Sequence, residues 1–408
     1  MSTASAAALR SPPSVPVLDV DPYSDEVLDS PFAMHEAVRR AGPVAYLPRY
    51  DVHVIGRHAE ISAVLRDWQA FSSTGGSGLA DIRKPGAWRA PSPIVEVDPP
   101  DHTRVRSALQ RVLSPTLVRR WRETFAQRAD ALVLSLLERE TFDGVHDLAE
   151  AFVADVLPTS LGLRPTPDQR ANLFTLGELN FDGQGPRNAR YLRTQARADA
   201  IAGWYDQSLR RESLAPDGFG DRIYAAADRG EIEPETAPLL VRSFVRGGLD
   251  TTSSTISAAL FFLARDPAQW ALLRADPALA KAALEEAMRL ETPIQTVNRL
   301  TTRPVEIGGI PVEADRKILV LLASANRDPS VWERPDTFDL RRSTLGHLAL
   351  GTGIHACIGQ MMARLEGEVL LQAFATRVAE VGLAGSPERR LNNNLRSLAS
   401  LPLRVRAA

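Results

Sequence analysis

The sequence runs to 408 residues, with 44% hydrophobic side chains and a formal net charge of −2 from 48 basic and 50 acidic residues. That is ample apolar material for a large core, and the absence of a concentrated basic stripe argues against nucleic acid as a partner. A single cysteine excludes an intrachain disulfide and a cysteine-ligated iron–sulfur cluster, and it fits a reducing, cytoplasmic setting.

Residues 1–16 have no basic n-region and only a brief, weakly apolar stretch. They read as a disordered tail, not a signal peptide or membrane anchor. Residues 17–408 contain no Gly/Ser linker, charge block or repeat, and a single domain is expected. Alternation over 43–56 predicts a hairpin turning near Arg49-Tyr50-Asp51. Helical patterns follow at 58–67, 102–113, 116–139 and 144–161. The turn-rich stretch 180–187 predicts a break before a helix over 189–211. The longest helical pattern covers 236–265, with Gly247-Gly248 near its middle. Two helices are predicted over 267–291, strands turning at Gly308-Gly309 over 305–322, a helix over 360–371, and a terminal hairpin. Helices dominate.

The lone cysteine sits in Leu350-Gly-Thr-Gly-Ile-His-Ala-Cys357-Ile-Gly-Gln360. An isolated cysteine is most often an inert buried hydrophobe. Here Gly351 and Gly353 would let backbone approach something flat and bulky, and Gly359 would leave amide N–H groups facing the sulfur. The following helix would set its positive end beside the same atom. These features favour a thiolate over a thiol and suit axial ligation of a haem iron. Two adjacent glycines inside a helix cost roughly 1 kcal/mol each relative to alanine, which is tolerated where the backbone must kink or admit a small ligand. Asp250-Thr251 directly follows them, an acid and a hydroxyl that can relay protons.

The cysteine string resembles the thiolate loop of the cytochrome P450 superfamily, whose pattern is Phe-Gly-x-Gly-x-His-x-Cys-x-Gly; Leu350 stands where the family has phenylalanine. The resemblance implies a mainly α fold with a small β-rich lobe, a helical prism around a central long helix. It implies haem b with Cys357 as the metal ligand, and Gly351, Gly359, His102, Arg106, Arg299 and His355 as further cofactor contacts. Glu286, Arg289 and Arg342 are implied to form a buried ion triad that positions the segment leading to Cys357. Thr251 and Asp250 are implied to deliver protons during oxygen activation. Electrons are expected from a ferredoxin served by a reductase, docking near Arg104, Arg111 and Arg364, and the protein is expected to be a monomer.

Polar residues at pocket positions narrow the substrate. Arg89 and Ser92 fall in the loop expected to cover the haem edge, and Arg242 and Ser243 one to two turns before the glycines. With Leu239-Leu-Val-Arg-Ser243 and Arg390-Leu-Asn-Asn, they resemble bacterial enzymes that oxidise para-substituted benzoates, including 4-methoxybenzoate. A guanidinium grips a carboxylate through two parallel charge-assisted bonds. Val95, Phe181, Ile294, Val297 and Leu398 are expected as apolar walls, with Gln184, Arg246 and Gly247 also in the pocket. Gln184, Val297 and Arg246 depart from the benzoate pattern, leaving open a larger or more polar substrate. A non-catalytic haem sensor, a peroxide-driven oxidase and a zinc site at His347, His355 and Cys357 are the alternatives from other classes.

Overall fold

The computed structural model describes residues 15–408, so residues 1–14 of the expected tail lie outside it. Pro16 already takes part in the fold, its carbonyl accepting the Tyr46 N–H at 2.8 Å. The predicted hairpin forms from Ala45–Leu47 and Val52–Ile55, antiparallel. Asp51 supplies the turn with φ +50°, the left-handed region that Asp enters more readily than most residues.

This hairpin belongs to a five-stranded sheet, in the order Ala45–Leu47, Val52–Ile55, Lys317–Leu321, Thr296–Thr301, Phe71–Ser72. Val52–Ile55 runs parallel to Lys317–Leu321, and the remaining pairs are antiparallel. Every residue of Lys317–Leu321 is buried, including the lysine. Lys317 Nζ donates to the carbonyls of Gly76, Gly78 and Ala80 (3.2, 2.5 and 2.6 Å). The ammonium thereby ties the segment beyond Phe71–Ser72 to the sheet, although burial pushes its pKa down to about 7.

The rest is helical. Thr236–Arg265 forms one unbroken α-helix of 30 residues. From Leu249 to Ala264 it is buried along most of its surface, against Phe152, Leu157, Leu284 and Leu371 among others. The two glycines have different reasons. A Cβ at Gly248 would stand 2.6 Å from Leu157 Cδ2, so glycine permits a close helix–helix approach. A Cβ at Gly247 would meet nothing within 4 Å. Packing on one side and open space on the other account for both residues, and the helix runs through them without a break.

Other elements depart from expectation in instructive ways. The predicted helix at 189–211 is two helices, Ala189–Asp199 and Ala202–Ser208, and nothing local explains the break. The pattern at 144–161 is a π-helical stretch, Gly144–Glu150, running into the α-helix Ala151–Leu161. A helix over Pro167–Asp182 was not anticipated, and it absorbs the start of the expected break. Its signal was present: Thr166 and Gln169 form a capping box with proline at the first turn. The helix after Cys357 extends from Gln360 to Arg377. Among the described residues no helix is long and apolar enough to cross a membrane.

Candidate active site

The site is assembled between the long helix and the Cys357 loop. The loop is held by its own backbone, with the Cys357 N–H donating to the Leu350 carbonyl at 2.8 Å. Gly351 and Gly353 have φ of +68° and +72°, where a side chain is strained. A Cβ at Gly353 would overlap the Leu65 carbonyl oxygen at the end of the helix His58–Arg66. Both glycines serve the loop's conformation, Gly353 also its packing on that helix, and Gly351 lines the cavity beside the cysteine. Gly359 has an ordinary φ of −84°, and a Cβ there would sit 4.0 Å from the Cys357 sulfur.

The amides of Gly359 and Gln360 do face the sulfur. Burial nevertheless pushes the Cys357 thiol up, outweighing those amides and the charges of Arg106 and Arg364. The helix end and its amides act in the expected direction, toward a thiolate, against the burial. A bound metal ion removes a coordinating thiol's proton outright.

Glu286 and Arg289 are wholly buried on the helix Ala280–Glu291. Arg289 donates from Nε and Nη2 to the two Glu286 oxygens, both at 2.8 Å, and Arg342 Nε donates to Glu286 Oε1 at 2.8 Å. Arg289 Nη1 also holds the Asn326 and Pro335 carbonyls at 2.8 Å. The expected triad is present, pinning the irregular segment that feeds the thiolate loop.

Next to it, Glu285 accepts from His347 Nε2 at 2.8 Å and pairs with Arg364. Burial raises the Glu285 carboxyl, but these two partners outweigh burial and bring it down to about 2. A depressed carboxylate contributes stability that is fully present above its ordinary range and lost as pH falls toward 2. Comparing wild type with Glu285→Gln in denaturant, we expect a gap on the order of 2–3 kcal/mol at pH 7 that closes progressively below about pH 4.5. A gap that persists unchanged to acid pH would refute it. The same pairs occupy His347 and Arg364, so His347 is not a zinc ligand partner, and among the described residues no group of metal-binding side chains is found.

His102 and Arg299 are buried and His355 nearly so, with the rings of His102 and His355 4.4 Å apart. Nε2 of each histidine is buried without a hydrogen-bond partner, and His355 Nε2 stands 3.9 Å from Asp98, too far for one. Burial lowers both histidines, His102 to about 4, and lowers Arg299 to about 10. Arg106 Nη1 donates to the Ala356 carbonyl at 2.5 Å, so one of its donors serves the loop itself. Unpartnered ring nitrogens and cations beside a half-buried cysteine that lines a cavity are what a haem and its two propionates would complete, so the residues fit that group.

A cavity of about 500 Å³ joins this region to the expected substrate pocket. Cys357, Leu350, Gly351, His355 and Arg299 line it, as do Gly247 and Thr251 of the long helix. So do Arg89, Ser92, Val95, Phe181, Gln184, Arg242, Ser243, Arg246, Ile294 and Val297. Thr251 Oγ1 donates to the Gly247 carbonyl at 2.7 Å.

Two expected residues are elsewhere. Leu398 is packed in the main core and does not reach the cavity. Asp250 also points away: its carboxyl lies where a Gly177 side chain would be, buried between the long helix and Pro167–Asp182. Desolvation raises its pKa well above the ordinary value, and Oδ2 is buried without a hydrogen-bond partner.

Several partners escaped the sequence reading. Arg89 Nη1 lies 3.4 Å from buried Glu96, which also accepts from the Ser92 N–H at 2.8 Å and Ser77 Oγ at 2.5 Å. An acid within the apolar run Ile94-Val-Glu-Val97 was the available signal. Arg242 Nη2 donates to Asp206 at 2.7 Å, Ser243 Oγ turns to the Leu239 carbonyl, and Gln184 bonds Asn394. The surface arginines are likewise engaged: Arg104 with Glu233 (2.6 Å) and Arg111 with Glu231 (2.5 Å).

Comparison with known proteins agrees with this geometry. The Cytochrome P450 family model matches residues 219–377. Over 395 residues the chain is 46% identical to Cytochrome p450 CYP199A2 of Rhodopseudomonas palustris, covering 97% of this chain and 95% of the relative. It is 28% identical to the Beta-dihydromenaquinone-9 omega-hydroxylase of Mycobacterium tuberculosis, covering 95% and 78%. The solved structure of Cytochrome P450 CYP109Q5 from Chondromyces apiculatus superposes with a TM-score of 0.80 at 31% identity, covering 96% and 99%. The chain belongs to the cytochrome P450 family: it is a monooxygenase whose haem iron takes a cysteine thiolate, and Cys357 is the only cysteine its sequence offers.

Proposed function

We propose that this monooxygenase oxidises a small aromatic carboxylate, by O-demethylation or hydroxylation of a para-substituted benzoate-like acid. The observation that carries the reading is the cavity wall, where Arg89, Arg242 and Arg246 share one space with Cys357 and Thr251. Phe181, Ile294 and Val297 supply apolar surface for a ring between them. An aromatic acid needs both, a cation for its charge and a dry wall for its face.

In this reading Cys357, His102, Arg106, Arg299 and His355 hold the haem, which when bound supplies activated oxygen for insertion into a C–H bond. Leu350 seals the sulfur side. Arg89 and Ser92 close one end of the pocket, kept in place by Glu96. Thr251 releases the Gly247 carbonyl and presents its hydroxyl to pass protons inward, while Asp250 stores a proton behind the helix. Hydroxylation of a methoxy carbon collapses to a phenol and formaldehyde. A ferredoxin and its reductase supply the electrons.

With those electrons supplied, 4-methoxybenzoate is expected to yield formaldehyde as dioxygen is consumed. No formaldehyde across a panel of methoxybenzoates would rule out the O-demethylation reading. Thr251→Ala is expected to retain haem and acid binding while product per electron pair falls severalfold and hydrogen peroxide rises. Unchanged coupling would remove Thr251 from proton delivery.

A further inference from the structure

Four guanidiniums line the cavity; Arg299 lies with the expected haem contacts, and the other three are not equally balanced. Arg89 has Glu96 and Arg242 has Asp206, whereas Arg246 makes no ion pair among the described residues. Both Arg242 and Arg246 lie over the ring of Tyr205, their guanidinium carbons 5.1 and 5.8 Å from its centroid. Nε of Arg246, like that of Arg242, is buried without a partner, but Arg242 also places Nη2 on Asp206. Burial lowers the Arg246 pKa, and the like charges of Arg242 and Arg89 add to the effect. Arginine stays protonated all the same, so Arg246, unlike Arg89 and Arg242, is left without a counter-ion.

Its position matters as much as its charge. Arg246 precedes Gly247, where no side chain fills the space, and lies five residues before Thr251. That is about 7.5 Å along the helix axis, against about 13.5 Å for Arg242. An anion held at Arg246 is therefore drawn toward the reacting end of the cavity, not its mouth.

We propose that Arg246 is the receptor for the substrate's anionic group, and that it makes the pocket selective for monoanions over neutral isosteres. Arg89 and Arg242, already neutralised, shape the pocket and close it. The proposal rests on the aromatic-acid reading and deepens it. It also assigns Arg246 an energetic role: a charge left unpaired in the ligand-free protein is stabilised only when substrate arrives, so binding and stability pull in opposite directions at this residue.

The test is calorimetric titration of the haem-loaded protein with 4-methoxybenzoate and its neutral isostere 4-methoxybenzamide. Wild type is expected to prefer the acid by roughly 10–100-fold, the range of a charged bidentate contact. Arg246→Gln should erase most of that preference, Arg246→Lys should restore part of it, and Arg242→Gln should keep most of it. Without ligand, Arg246→Gln should also melt at a higher temperature than wild type, and the acid should no longer raise its melting point. A strong acid preference surviving in Arg246→Gln but lost in Arg242→Gln or Arg89→Gln would overturn the assignment and leave the aromatic-acid reading standing. No acid preference in wild type would overturn both.

Discussion

Glu286→Ala is expected to yield protein that retains little haem, read as haem absorbance per mole of chain. The carboxylate has no exposed surface and accepts from both Arg289 and Arg342, and from the Asp339 N–H at 3.3 Å. Its removal leaves Arg289 buried beside Trp332, 5.2 Å from the ring centroid, with only carbonyl partners. Breaking a buried pair in this way costs about 3–5 kcal/mol, a large part of the roughly 5–15 kcal/mol that typically holds a domain together. The damage is local in its first effect, because Arg289 and Arg342 hold the carbonyls of Asn326, Glu333, Arg334 and Pro335 on the approach to Cys357. A mutant that loads haem normally would refute the role.

Gly353→Ala is expected to be comparably severe, for a steric reason. An alanine at φ +72° costs about 1–2 kcal/mol on its own. Its Cβ would also overlap the backbone oxygen of Leu65 and lie 3.2 Å from Arg66 Cα, so the thiolate loop or the end of His58–Arg66 must move. Gly351→Ala carries only the φ penalty, its nearest new contact being 3.7 Å away, and Gly359→Ala carries neither. Haem content and melting temperature should therefore fall in the order Gly353, Gly351, Gly359. Equal effects at Gly353 and Gly359 would show that the loop yields freely.

Much of this could be read from the residues. The spacing around Cys357 pointed to its loop, and the pair Glu286 and Arg289 with Arg342 downstream proved to be a buried triad. The long helix was legible to its end residues although polar and apolar residues mix around Gly247-Gly248, because no proline or turn signal interrupts it after Pro238. The strand Thr296–Thr301 was missed because it is buried on nearly every residue and shows no alternation.

What the sequence determined, then, was which residue types must meet: one sulfur, its glycine frame, a hydroxyl beside two small residues, and several cations around an apolar pocket. Those follow from local spacing, which helical and loop geometry convert directly into shared faces. Tertiary structure alone decided which charges are already satisfied. Glu96 and Asp206 come from segments distant from, or unremarkable beside, the arginines they neutralise, while Gly177 draws Asp250 away from the cavity. Ion pairing and burial depend on partners far apart in the chain, so only the folded protein separates Arg246 from its two balanced neighbours.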